Sequence, residues 1–163
     1  MKTKSIVITT LLSVVVFIFL GLIAFLHIFY KDYIDEVILE KDTVINTDWH
    51  EINTENLVKV YKDNHYVSII LDSSFHSDPE NKAIKIPSGK NINPEIKLID
   101  SKGKEYSLLY SGSRYYKNSE YVNYQFQGDL PIGKNFEKLK LRSDEPIKTQ
   151  EIIWSGYNSK DLK

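Results

Sequence analysis

Hydrophobic and polar residues alternate with a period of two along much of the chain after residue 56. This period places every second side chain on the same face of an extended strand, so each alternating run predicts a β-strand with one buried face. The positions predicted to share a buried face are Val67, Ile69 and Leu71; Ile84 and Ile86; Ile96 and Leu98; Tyr106, Leu108 and Tyr110; Val122, Tyr124 and Phe126; Leu139 and Leu141; and Ile152 and Trp154. Two further strands are expected within residues 37–45 and 57–61.

Short segments rich in Gly, Pro, Ser and Asn separate these runs and predict turns. They are residues 87–90, 93–94, 101–104, 131–133 and 145–146. Strands that recur in this way, with no long helical pattern between them, are typical of antiparallel all-β folds. We therefore expect an antiparallel β-sandwich of about seven to nine strands, with jelly-roll or immunoglobulin-like connections.

The segment 6–30 is apolar and contains no Asp, Glu, Lys or Arg. As a helix, its 25 residues would be about 37 Å long, enough to cross a hydrocarbon core of about 30 Å. A cleaved signal peptide is the competing interpretation, but its apolar region would be about 7–15 residues long and would end in a small-x-small site. Here the run is longer, and Leu22 stands two residues before Ala24, where a small residue is needed. We therefore predict an uncleaved transmembrane signal anchor.

Positive charge on the N-terminal side of this segment predicts its orientation. Lys2 and Lys4 precede the apolar run, whereas Lys31 on the other side is followed by acidic residues. The positive-inside rule therefore places residues 1–5 in the cytoplasm and residues 31–163 outside the cell membrane, as one exported domain in the periplasm or the exterior. Residues 31–45 stay ambiguous, because they fit either a continuation of the membrane helix or the start of the sheet.

Charge and composition exclude several classes of protein. The chain has a net charge of −1 and no Cys. A nucleic-acid-binding protein is expected to carry a basic surplus, and a chain without Cys has no disulfides, thiolate metal sites or cysteine nucleophile. The segment 128–134 has the spacing of a phosphate-binding loop, but Asn135 replaces the required Ser or Thr, and a strand-like alternation follows. We therefore expect no nucleic acid, no nucleotide and no cofactor.

Three histidines are the best candidates for a metal site. His50, His65 and His76 lie within 27 residues, near Asp72 and Asp78, and imidazole together with carboxylate ligands suits zinc or iron. Their spacing is irregular, and none forms an i, i+4 pair on a helix. We interpret them as polar residues of loops and strand edges and predict no metal site.

A cluster of tyrosines is the strongest candidate for a binding site. Tyr115, Tyr116 and Tyr121 surround a short polar connection, with Arg114 beside them. Tyr offers a flat apolar ring with a hydrogen-bonding tip, which suits sugar rings, peptides and protein surfaces, and Arg adds a planar fork for carboxylates. We therefore predict that these four residues contact a ligand or partner. A compositional excess of Tyr is the alternative explanation.

Together these patterns indicate a non-catalytic protein of the bacterial cell envelope. We expect the exported domain to be a binding module for a protein partner or a cell-surface glycan. The alternative is a single-pass accessory subunit or immunity-type inhibitor of a membrane complex, in which the anchor itself makes contacts. An exported metal-dependent enzyme, using the three histidines, is the least favoured function.

Overall fold

The structure is a computed structural model that describes Val16 and residues 18–22, 35–60, 64–116 and 118–157. Contacts between Cα atoms divide the chain into two compact units, Met1–Ile34 and Asp35–Lys163. In the first unit, Val16 and residues 18–22 are helical. Most of the predicted anchor therefore lies outside the described residues, as do residues 31–34. The described part of the chain contains no helix with the length and apolar character that a membrane crossing requires.

The second unit is built from β-strands. In chain order they are β1 (Asp35–Lys41), β2 (Val44–Ile45), β3 (His50–Lys59), β4 (Asn64–Leu71), β5 (His76–Asp78), β6 (Ala83–Lys85), β7 (Asn91–Ile92), β8 (Glu95–Asp100), β9 (Glu105–Tyr116), β10 (Ser119–Phe126), β11 (Asn135–Arg142) and β12 (Ile147–Tyr157). Residues 35–41 and 44–45 are strands, so the described part of the ambiguous segment belongs to the sheet. Of the strand predicted at residues 57–61, residues 57–59 are the last part of β3, which begins earlier, at His50. Val60 lies past its end, and residue 61 lies outside the described residues.

Nine strands form one continuous sheet, in the order β1-β12-β4-β10-β9-β8-β11-β3, with β2 paired to β12. Every pairing is antiparallel, which confirms the predicted all-β antiparallel fold. The two edge strands approach each other where Glu40 of β1 meets His50 of β3, so the sheet is nearly closed. A sandwich requires two separate packed sheets, and that finer prediction is not confirmed.

The core fills the inside of this sheet with the residues that the alternation predicts. Val122 and Tyr124 of β10 are fully buried, as are Leu139 and Leu141 of β11. The aromatic rings of Tyr106, Phe126 and Phe136 pack against one another at centroid distances of 5.3–6.4 Å. Because aromatic side chains bury large apolar areas, this cluster contributes a large share of the stability that a chain without disulfides needs.

Solvent exposure on the outer face of the sheet differs between the β4–β12 side and the β3–β11 side. On β4, Ser68 and Ile70 face away from the core, yet both are at most 3% exposed, and Ile153 of neighbouring β12 is 4% exposed. On β3 and β11, by contrast, exposed Glu51 bonds Lys138 at 3.1 Å and Lys140 at 2.8 Å. The β3–β11 side is therefore a solvated, charged surface, whereas Ile70 and Ile153 on the outer face of the β4–β12 side are shielded from solvent.

A smaller sheet of three strands, β5-β6-β7, packs on the main one. Its apolar residues Phe75, Ile84 and Ile92 belong to the same core cluster as the main sheet. Ser77 on β5 bonds the side chain of Glu120 at the start of β10. This contact places the small sheet against the hairpin formed by β9 and β10, which holds the predicted binding residues.

Candidate functional site

The β9–β10 hairpin sorts the predicted binding residues onto two faces. Its turn is tight, with Asn118 at a φ of 64°, a left-handed conformation that Asn tolerates. Across the hairpin, Arg114 is paired with Tyr121, and Tyr115 with Glu120. Because side chains alternate along a strand, Tyr115 lies on the core-side face and the other three lie on the outer face.

Arg114, Tyr116 and Tyr121 form a compact group on the outer face, called the aromatic patch from here on. The guanidinium carbon of Arg114 lies 5.0 Å from the ring centroid of Tyr121, a cation–π distance. The Tyr116 and Tyr121 rings meet edge to face, with their centroids 6.2 Å apart. Tyr116 is 53% exposed, so the patch presents aromatic surface to solvent.

Glu36 holds the Arg114 side chain from across the sheet. Its Oε1 accepts a hydrogen bond from Arg114 Nη2 at 3.2 Å, although β10, β4 and β12 separate β9 from β1. Four strand spacings on a flat sheet amount to about 19 Å, farther than these two side chains extend. The sheet therefore departs strongly from flatness between the hairpin and β1, which brings these two side chains together.

The electrostatics of the patch keep Tyr121 neutral. Burial raises the pKa of its phenol, and the negative charge of Glu36 raises it further, while Arg114 acts in the opposite direction. The phenol therefore remains a hydrogen-bond donor at neutral pH. A neutral donor beside a fixed guanidinium and an exposed ring can hydrogen-bond and stack against a flat polar ligand.

Tyr115 belongs to a different group, the Glu120 cluster, formed by Glu120, Ser77, Ser113, His76 and Tyr115. Glu120 is 8% exposed, and its Oε1 accepts hydrogen bonds from the backbone N–H of Ser77 at 2.9 Å and from the Ser77 hydroxyl. The Ser77 and Ser113 hydroxyl oxygens are 2.7 Å apart. His76 Nδ1 lies 3.5 Å from Glu120 Oε2. The pKa of Tyr115 is raised, chiefly by the charge of Glu120.

The three histidines considered as candidate metal ligands each make their contacts in a separate place. His50 pairs with Glu40 at 2.5 Å, His65 stacks on Trp154 with ring centroids 4.9 Å apart, and His76 lies beside Glu120. The residues that the structure describes contain no group of three His, Cys, Asp or Glu able to hold a metal ion.

The nearby acidic residues cap turns. Asp72 Oδ1 accepts hydrogen bonds from the backbone N–H and hydroxyl of Ser74, and Asp78 accepts them from Asn81 and Asn91. These bonds lower the pKa of both carboxyl groups. Each carboxylate is therefore already used in local structure, which agrees with the interpretation of this stretch as loop residues.

The loop at 127–134 is fastened to the end of β3. Gly133 N–H donates to the carbonyl of Val60 at 2.7 Å, and Val60 N–H donates to the carbonyl of Lys134 at 3.0 Å. The strand β11 follows directly, as the alternation predicts. A cavity of about 160 Å³ lies between this loop and the start of β4, lined by Asn64, His65, Gln125, Phe126, Gly128 and Leu130.

Sequence reasoning missed Glu36, Ser77, Ser113 and Glu120. A signal was available for Glu120, because it shares the phase of Val122 and Tyr124, which are predicted to face the core. A charged residue on a predicted buried face indicates a partner or a site. No comparable signal marks Glu36, whose contact depends on the curvature of the sheet.

Comparison of the chain with protein-family models, curated proteins and solved structures finds no match.

Proposed function

We propose that this protein is a membrane-anchored, non-catalytic component of the bacterial cell envelope that binds a protein partner or a cell-surface glycan. The observation that carries the proposal is the aromatic patch, in which Arg114 stacks on Tyr121 and Tyr116 meets the same ring. Tyr and Arg are enriched at binding surfaces, because each presents a large planar group with a polar edge.

The patch is held in place before any partner binds. Glu36 fixes the Arg114 guanidinium at 3.2 Å, and Tyr121 is partly buried between its neighbours. Side chains that are already ordered lose less conformational entropy on binding.

The anchor and its orientation are part of the proposal. The described helical residues of the first unit carry large apolar side chains that are 49–66% exposed, at Val16, Ile18, Phe19, Leu20 and Leu22. Apolar surface of this extent is favourable in lipid and unfavourable in water. Lys2 and Lys4 favour a cytoplasmic N-terminus, with residues 31–163 in the periplasm or outside the cell.

The test is capture of partners from native membranes by the full chain, with mass spectrometry and glycan analysis as the readout. Replacing Tyr116 and Tyr121 with Ala is expected to reduce the captured species by about thirtyfold or more, because a central hot-spot residue contributes about 2 kcal/mol. The matched control is Ile132→Ala, which removes an apolar side chain that is 68% exposed in the 127–134 loop. Equal capture by the wild type and the double variant, with unchanged melting temperatures, would exclude the patch.

The accessory-subunit or immunity-type alternative is favoured by the same exposed apolar helix surface, since a membrane helix can bind another helix as well as lipid. Replacing residues 6–30 with an unrelated anchor separates the two proposals. Loss of the captured complex would support the alternative, whereas full capture would support binding by the exported unit alone.

A further inference from the structure

The Glu120 carboxylate is buried, and no Lys or Arg among the described residues pairs with it. Its side chain is 9% exposed, and the described residue that forms an ion-pair contact with it is His76, at 3.5 Å. Among the described residues, Glu120 Oε2 has no hydrogen-bond partner. Burying a carboxylate oxygen without a hydrogen-bond donor costs free energy, because the oxygen loses its hydrogen bonds to water and no new one replaces them.

The two oxygens of this carboxylate are unequal. Oε1 accepts hydrogen bonds from the Ser77 backbone N–H and hydroxyl, while Oε2 faces the imidazole of His76. The imidazole is 61% exposed, and exposed side chains change rotamer within nanoseconds. Movement of the imidazole away from Oε2 would leave an opening there for a group arriving from solvent.

An aromatic ring borders the same opening. Tyr115 is the cross-strand partner of Glu120 on the same face of the hairpin, and it is 69% exposed. A tyrosine ring beside a carboxylate attracts cations, because the ring face carries partial negative charge. The Glu120 cluster thus combines a buried anion, one acceptor oxygen without a hydrogen-bond partner among the described residues, and an exposed ring.

We infer that the Glu120 cluster is a recognition site for a primary ammonium group carried by a binding partner. Glu120 Oε2 accepts the hydrogen bond from the ammonium, and Tyr115 lies along its alkyl chain. With a single oxygen open, the site favours a compact point charge over guanidinium, which binds carboxylates best through two parallel bonds. The site lies on the opposite face of the hairpin from the aromatic patch and does not depend on it.

The experiment is an NMR titration of the full chain in detergent with n-butylammonium chloride, following the backbone amide of Ser77, which donates to Glu120. A saturable shift with a dissociation constant on the order of millimolar is expected, as for other small fragments. Equal concentrations of sodium chloride should give no saturable shift, and n-butylguanidinium should bind at least threefold more weakly.

Substitutions test whether Glu120 and Tyr115 are responsible for binding n-butylammonium. Glu120→Gln should abolish the shift, while Glu95→Gln, which removes an exposed carboxylate paired with Arg142, should leave it unchanged. If Glu120→Gln lowers the melting temperature strongly, Tyr115→Leu is the variant that tests the site. It is expected to lower the affinity for n-butylammonium threefold to tenfold.

Three results would overturn the inference: no saturable shift in the wild type, equal binding by Glu120→Gln, or tighter binding of Ca²⁺ than of ammonium at the same amide. None of these bears on capture by the aromatic patch, so failure of this inference is distinguishable from failure of the proposed function.

Discussion

Glu40 Oε2 lies 2.5 Å from His50 Nε2, and this contact joins the two edge strands of the nine-stranded sheet. Within the described residues, no backbone ladder connects β1 to β3, although both strands are paired on their other side. Unpaired strand edges favour association with other chains. The side-chain contact between β1 and β3 therefore provides part of the stabilisation that a complete backbone ladder between these strands would provide.

Replacing His50 with Ala is expected to weaken the association of β1 with β3. The two side chains are about one-third exposed, so the expected loss of stability is about 0.5–1 kcal/mol, concentrated in faster amide hydrogen exchange of β1 and β3. The control is Lys41→Gln, which breaks the ion pair with Glu151 between strands that keep their backbone ladder. Equal exchange in both variants would show that the Glu40–His50 contact does not hold β1 and β3 together.

Gly156 is expected to reject any larger residue, because the ring of His65 lies directly across the ladder from it. A Cβ atom at position 156 would stand 2.6 Å from His65 Nδ1 and closer still to Cε1. The ring is pinned by stacking on Trp154, so Gly156→Ala should destabilise the fold by about 1–3 kcal/mol in urea unfolding.

A double-mutant cycle with His65→Ala tests the cause of that loss. In the His65→Ala background, Gly156→Ala should have little further effect, because the space is then free. Full additivity of the two changes would contradict steric exclusion by the ring.

The alternation of apolar residues predicted most of the strands, because burial of one face is a local property of the sequence. It failed where the inward residue is polar, as in the first half of β3. There Thr54 is fully buried and donates its hydroxyl to the carbonyl of Phe136, a partner 82 residues away. The near closure of the sheet depends on the contact between Glu40 and His50, which no local pattern encodes.

The arrangement of the candidate site residues could also be predicted only in part, because local patterns do not show which strands lie close together. Arg114, Tyr116 and Tyr121 are close in sequence and lie together on one face, but alternation alone separates Tyr115 from Tyr116, since neighbours on a strand face opposite ways. Glu36 could not be predicted, because its contact with Arg114 spans three intervening strands and requires a sheet that is far from flat. Which residues meet across a sheet is fixed by curvature, and curvature is a property of the whole fold.

Asp100 is expected to make the stability depend on acidic pH. Burial alone would raise the pKa of its carboxyl group, but hydrogen bonds from the backbone N–H groups of Lys104 and Lys102, and the Lys134 ammonium at 3.3 Å, lower it overall. A pKa that is lower in the folded state gives stability that is fully present above the unfolded value, about 3.9. This stability is lost as the pH falls through the folded pKa.

Asp100→Asn should therefore be less stable than the wild type at pH 7, and the difference should shrink as the pH falls below about 4. The measurement is the free energy of unfolding in urea at both pH values. The control is Asp129→Asn, which removes an exposed carboxylate. A constant difference between wild type and Asp100→Asn across this range would mean that the carboxylate charge plays no part.

The hydroxyl of Tyr124 is expected to be dispensable for folding, whereas its ring is not. The side chain is fully buried, its Oη has no hydrogen-bond partner among the described residues, and burial raises its pKa far above the ordinary value. Its ring packs edge to face on Tyr110 at 6.1 Å. Removing an unsatisfied buried hydroxyl relieves a desolvation penalty, so Tyr124→Phe should be as stable as the wild type or up to about 1 kcal/mol more stable.

Tyr124→Ala is the matched comparison, because it removes the ring as well and should lose about 3–5 kcal/mol through the cavity it creates. Thermal and urea unfolding of the two variants separate the ring from the hydroxyl. A loss of more than about 1 kcal/mol in Tyr124→Phe would mean that the hydroxyl is bonded to an internal water. The centre of the sheet would then contain a polar site rather than a dry core.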